Sequence, residues 1–157
     1  MQTKSTLTRT LLIPFLVALL WAPALPAAEG TFLEKEVEVP RTEKVPVDLS
    51  FKKATLLWVE SQNDPQEKDV KDATEKDPAD KTWMLIRFTY KNDDYIKHRL
   101  QLRVILLGEN GEVFGEAERN GTLDAQQKND TLSFPMRVKT VDWPRANKLK
   151  IMVTFLE

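Results

Sequence analysis

The chain has 157 residues, with 23 Lys plus Arg against 24 Asp plus Glu, one histidine and no cysteine. So even a charge balance carries no electrostatic footprint for nucleic acid or for an anionic bilayer, both of which select basic proteins. The missing thiols exclude disulfides, thiol catalysis and a lipid-modified cysteine, so the fold has to hold by packing alone.

Residues 1–28 read as an export signal. Lys4 and Arg9 form a basic start, 11–21 is almost wholly apolar, and Ala22-Pro23-Ala24 and Ala27-Ala28 supply the small residues that signal peptidase needs. The competing reading is an uncleaved membrane anchor, because 11–28 is a run of 18 uncharged residues; Pro14, Pro23 and Pro26 and the bare minimum length stand against it. Removing Lys4 and Arg9 with the leader leaves 21 cations against 24 acids over residues 29–157, a formal charge of −3. Those 129 residues suit one domain large enough for its own core. It is expected in the periplasm or outside the cell, with no membrane insertion after signal cleavage.

Past the leader, strand periodicity dominates. Leu33, Val37 and Val39 alternate with Glu34, Glu36 and Glu38, and Pro40 ends this first strand. Val45, Val47, Leu49 and Phe51 form a second, whose Pro46 belongs on a sheet edge or at a strand start. Residues 54–60 are apolar on both parities, which predicts a third strand covered on both sides. Residues 62–82 are different in kind. Seven acids, four lysines and a single valine between Gln62 and Lys81 cannot offset the entropy of ordering by burial, so a flexible charged loop is expected.

The stretch 83–118 reads as a three-stranded meander. Met84, Ile86, Phe88 and Tyr90 alternate with Leu85, Arg87 and Thr89, and Leu100, Leu102, Val104 and Leu106 alternate with Gln101, Arg103 and Ile105. A turn at Asn92-Asp93-Asp94 would pair Tyr90 with Ile96, Phe88 with His98, Ile86 with Leu100 and Met84 with Leu102. A second turn at Asn110-Gly111 would pair Arg103 with Glu118, Ile105 with Glu116 and Leu107 with Phe114. Asn120-Gly121 predicts another turn, and 122–128 a polar connection. Leu132, Phe134, Met136 and Val138 then alternate with polar residues, Trp143 anchors a connector, and Leu149, Ile151, Val153 and Phe155 close the chain. These short strands with turn signals between them predict an all-β fold, an antiparallel immunoglobulin-like sandwich of seven to eight strands with one long acidic loop.

Within 83–134, the strand ending Val104-Ile105-Leu106-Leu107-Gly108, the strand opening Gly111-Glu112-Val113, the polar run Leu123-Asp124-Ala125-Gln126 and the apolar Leu132-Ser133-Phe134 resemble the immunoglobulin-like modules of exported bacterial proteins, in particular the FxLYD type. Val104, Leu107 and Gly108 stand where that family has phenylalanine, tyrosine and aspartate. The resemblance implies a non-enzymatic module and brings no site residue with it.

Candidate chemistry is sparse. His98 lies on the inward parity as a packed side chain, and a zinc site wants more strong ligands than one imidazole with Asp93 and Asp94. A Ser-His-Asp arrangement would rest on His98 alone, and neither a nucleophile elbow nor a Gly-rich phosphate loop occurs. Asp69, Asp72, Asp77 and Asp80 lack the order of a calcium loop. Asn120-Gly121-Thr122 and Asn129-Asp130-Thr131 match glycosylation sequons. No catalytic, metal or cofactor residue is expected.

The sharper expectation is a surface on the outward face of the meander. There Trp83, Leu85, Ile105, Leu107 and Phe114 would form an apolar platform rimmed by Arg87 and Arg103, with Arg87 opposite Arg99 at a basic end. Such a platform would dock a protein partner or an apolar ligand, unless another segment of the chain covers it. A carbohydrate-binding domain stacking sugars on Trp58, Trp83 or Trp143 is the second reading, and a hydrolase with paired carboxylates the third.

Overall fold

The computed structural model describes residues 30–63 and 81–156. The expected leader and most of the expected charged loop lie outside the described residues. Eight strands follow from the alternating segments: β1 (Gly30–Glu38), β2 (Val45–Phe51), β3 (Ala54–Asn63), β4 (Lys81–Asn92), β5 (His98–Leu107), β6 (Val113–Leu123), β7 (Gln127–Lys139) and β8 (Lys148–Leu156). They form two antiparallel sheets, one ordered β1-β8-β5-β6 and the other β2-β3-β4-β7. The sheets face each other as a sandwich.

Inward parities meet in one core. Met84, Ile86, Phe88 and Tyr90 of β4 lie opposite Leu100, Leu102, Val104 and Leu106 of β5 and Ile151, Val153 and Phe155 of β8, all buried. Each fully buried side chain of this kind contributes roughly 1.5–3 kcal/mol against solvent exposure. Phe51 of β2 stacks on Phe155 of β8 at 4.8 Å and 18°, which ties one sheet to the other.

The expected hairpin at Asn92 does not form. β4 pairs with β3 and β7, β5 pairs with β6 and β8, and 93–97 carry the chain from one sheet to the other. Phe88 stands beside Val59 and Leu132 rather than His98, and Ile86 beside Ser61 and Phe134 rather than Leu100. The cause is Asn92. Its buried side-chain amide donates to the carbonyls of Ile96 (2.9 Å), Leu123 (3.2 Å) and Asp124 (3.1 Å), and its oxygen accepts the Asp94 N–H at 3.0 Å. A side chain bonded inward to two loops steers the chain across the core instead of back along β4.

The second hairpin follows its expected register, with Arg103 opposite Glu118 and Ile105 opposite Glu116. A bulge after Leu106 then puts Leu107 opposite Val113 in place of Phe114. Asn120-Gly121 is no turn. β6 continues to Leu123, and Gly121 is needed for close approach, because a Cβ there would lie 2.8 Å from Leu132. β3 and β4 both extend into the expected loop, since β3 runs to Asn63 and β4 begins at Lys81. Nor is β3 covered on both sides. A bulge between Leu56 and Trp58 lets Leu56 and Val59 both reach the core and leaves Trp58 42% exposed.

Candidate docking cleft

The seven residues expected to share one platform are divided among three places. Trp83, Leu85 and Arg87 lie on the outer face of the β2-β3-β4-β7 sheet. Arg103, Ile105 and Leu107 lie on the outer face of the other sheet, across the full thickness of the sandwich. Phe114 packs at the margin of the core beneath the Arg145 guanidinium, 5.0 Å from its ring. Trp83 is paired with Arg137, whose guanidinium lies 4.5 Å over the indole. Arg87 sits between Glu60 and Ser133, well away from Arg99, so the like-charge end does not exist.

On the β1-β8-β5-β6 sheet the outer face carries cross-strand pairs beside the exposed Phe32. Lys150 meets Glu34 at 3.0 Å, Lys148 meets Glu36 at 3.6 Å, Arg103 meets Glu116 at 2.7 Å, and Gln101 donates to Glu118 at 2.6 Å. Ile105 and Leu107 are half-buried within this ladder. The hydrogen bond and charge of Glu116 push the Arg103 guanidinium further up from its ordinary value.

The opposite outer face carries the cleft. After β1 the chain loops through 40–44 before entering β2, and this strap stands against the end of β3. Between them is a cavity of about 330 Å³, lined by Pro40, Thr42, Glu43 and Lys44 on one side and by Glu60, Ser61, Gln62, Leu85 and Arg87 on the other. Leu85 has outward parity yet is only 3% exposed. Glu60 holds Arg87 at 3.0 Å and Lys44 at 3.6 Å, and the Ser61 hydroxyl donates to the Pro40 carbonyl at 2.5 Å.

The strap is fixed from outside by Arg41. Its guanidinium donates to the carbonyls of Trp143 (3.1 Å), Pro144 (3.2 Å) and Ala146, and lies 4.8 Å over the Trp143 ring. Trp143–Arg145 is a single 3-10 turn, whose C-terminal carbonyls attract a cation. Of the expected platform, Leu85 and Arg87 line the cleft. The strap residues, Glu60, Ser61 and Gln62 were not expected, since a short charged connector carries no periodic signal.

His98 is 3% exposed, packs edge-on to Phe51 at 5.6 Å, and has Nε2 3.3 Å from Asp94 without hydrogen-bond alignment. Among the described residues no group of three or more His, Cys, Asp or Glu is placed to hold a metal, and no helix is long and apolar enough to cross a membrane. The residues weighed for calcium lie outside those described. Both sequon asparagines, Asn120 and Asn129, fall within strands. Of the tryptophans weighed for sugar stacking, Trp83 and Trp143 already carry an arginine on the ring, whereas Trp58 stands 42% exposed. No family model, curated protein or solved structure matches the chain.

Proposed function

We propose that the protein is an exported, non-enzymatic binding or assembly module that docks a protein partner or an apolar ligand through the strap cleft. The observation that carries this reading is Leu85, an outward-facing apolar side chain withdrawn from solvent beside polar walls of both charge signs. Concave sites that combine an apolar surface with a few converging polar groups are where ligands bind. The immunoglobulin-like relationship belongs to the same proposal; its support is that β4 to β5 and β6 to β7 both cross between sheets. Export rests on residues 1–28 and predicts a mature N-terminus just after Ala24 or near Ala28, readable by intact mass.

The docking test uses immobilised protein and a cell-envelope extract. Thr42→Trp fills the cleft from an exposed position, and Arg103→Gln alters the other face. Retention of a bound species by wild type and by Arg103→Gln, with loss in Thr42→Trp, is the expected result. Equal retention by all three would place docking elsewhere.

A further inference from the structure

We infer that the cleft takes an extended peptide, which adds as a strand along residues 60–63 of β3; this deepens the docking reading and rests on it. The ladder between β2 and β3 ends at Val45 opposite Val59, whereas the ladder between β3 and β4 continues to Asn63 opposite Met84. Among the described residues, 60–63 therefore have a strand neighbour on one side only. In an antiparallel strand, alternate residues direct both N–H and C=O to the same side, so about half of these backbone groups face the strap. At about 3.3 Å per residue the open edge is roughly 13 Å long.

The strap does not complete the sheet. It is held by the Ser61 hydroxyl, the Glu60 carboxylate and the Arg41 contacts, with no ladder pair to β3. A volume of about 330 Å³ lies at the small end of ligand sites. That suits an extended backbone with one side chain and is too narrow for a folded domain. Among the described residues, the edge at 60–63 supplies donors and acceptors at ladder spacing, and Leu85, beside Gln62 in the register and lining the cleft, offers apolar contact to one guest side chain. The guest is thus an extended segment that sets one branched apolar side chain against Leu85.

The test uses the full ¹⁵N-labelled chain and a capped seven-residue peptide with lysine at each end and Thr and Val alternating between. Two further versions carry N-methyl groups, one on the Val amides and one on the Thr amides. The expected result is that the parent peptide slows amide exchange within 60–63 about tenfold at saturation. One methylated version, whose methyls point at β3, should fail to bind, and Thr42→Trp should bind none. Equal binding of both methylated versions would overturn strand addition and leave side-chain docking in the cleft. No slowing at 60–63 with the parent peptide would also overturn it. The docking reading would then depend on the retention experiment alone.

Discussion

The two ends of the sandwich are held together by different chemistry. At the end where 93–97 cross between sheets, the bonds centre on two buried side chains, Asn92 and Tyr90, with an exposed glutamine outside them. Asn92 has no exposure and joins two loops, the Tyr90 hydroxyl donates to Asp130 at 2.8 Å and accepts the Asp124 N–H at 3.1 Å, and Gln126 bonds the carbonyls of Asp93 and Asp94. At the strap end the bonds belong to exposed cations, with Arg41 on the Trp143 turn and Arg145 on Asp142 at 3.4 Å and over Phe114. A buried polar group that loses its partner has no water to replace it, whereas an exposed one does. The first end therefore dictates which sheet each strand joins. The second can yield locally, and it is the end that borders the cleft.

The largest test of this contrast is Asn92→Ala, which strands the Leu123 and Ile96 carbonyls and should lower the urea-unfolding free energy by about 3 kcal/mol. Asn120→Ala, on an exposed strand position, should stay within about 0.5 kcal/mol. Equal effects would erase the distinction.

Next comes Tyr90→Phe, expected to cost about 1–2 kcal/mol at neutral pH. Burial first, with Asp130 adding to it against the Asp124 backbone bond, raises the Tyr90 phenol from 10.0 to about 12. The folded state thus favours the neutral form. That stability is fully present below pH 10 and is lost as pH climbs toward 12. The gap between wild type and Tyr90→Phe should narrow over that window, and a constant gap would contradict the assignment.

Arg41→Ala should cost less globally, about 1 kcal/mol, while amide exchange across 42–44 accelerates. Arg41→Lys keeps the charge but loses the planar fork and should rescue only in part. Smallest is Arg103→Gln. Despite its short contact with Glu116, this surface pair should leave the urea midpoint unchanged within scatter, at low and high salt alike.

Alternation made the core readable from the residues. Met84 to Tyr90 and Leu100 to Leu106 are inward because period two sorts side chains whatever strand lies alongside. The same property hid the topology. Two strands paired in one sheet and two strands facing across a sandwich bury the same parity, so the alternation of β4 and β5 could not say which arrangement holds. The outward residues then fell on opposite sides: Trp83, Leu85 and Arg87 on one, Arg103, Ile105 and Leu107 on the other.

Asn92-Asp93-Asp94 carries turn chemistry, but only burial reveals that the asparagine is a pin between loops. Gly121 looked like half of a turn because the approach of Leu132 is a fact of three dimensions. Asn110-Gly111 did sit in a hairpin loop, with Gly111 at φ +83, and there the predicted register held until the bulge. The strap had no such marker, since its role depends on Arg41 reaching a turn 102 residues away.

Native-state hydrogen exchange, read residue by residue under increasing urea, tests the division between a fixed end and a yielding end most directly. Amides of Asp94, Asp124 and Gln126 should open only with global unfolding, while those of Thr42, Glu43 and Lys44 exchange through a small, urea-insensitive opening. If the strap amides opened only with the whole domain, or those around Asn92 exchanged first, the two ends would not differ in the way the structure requires.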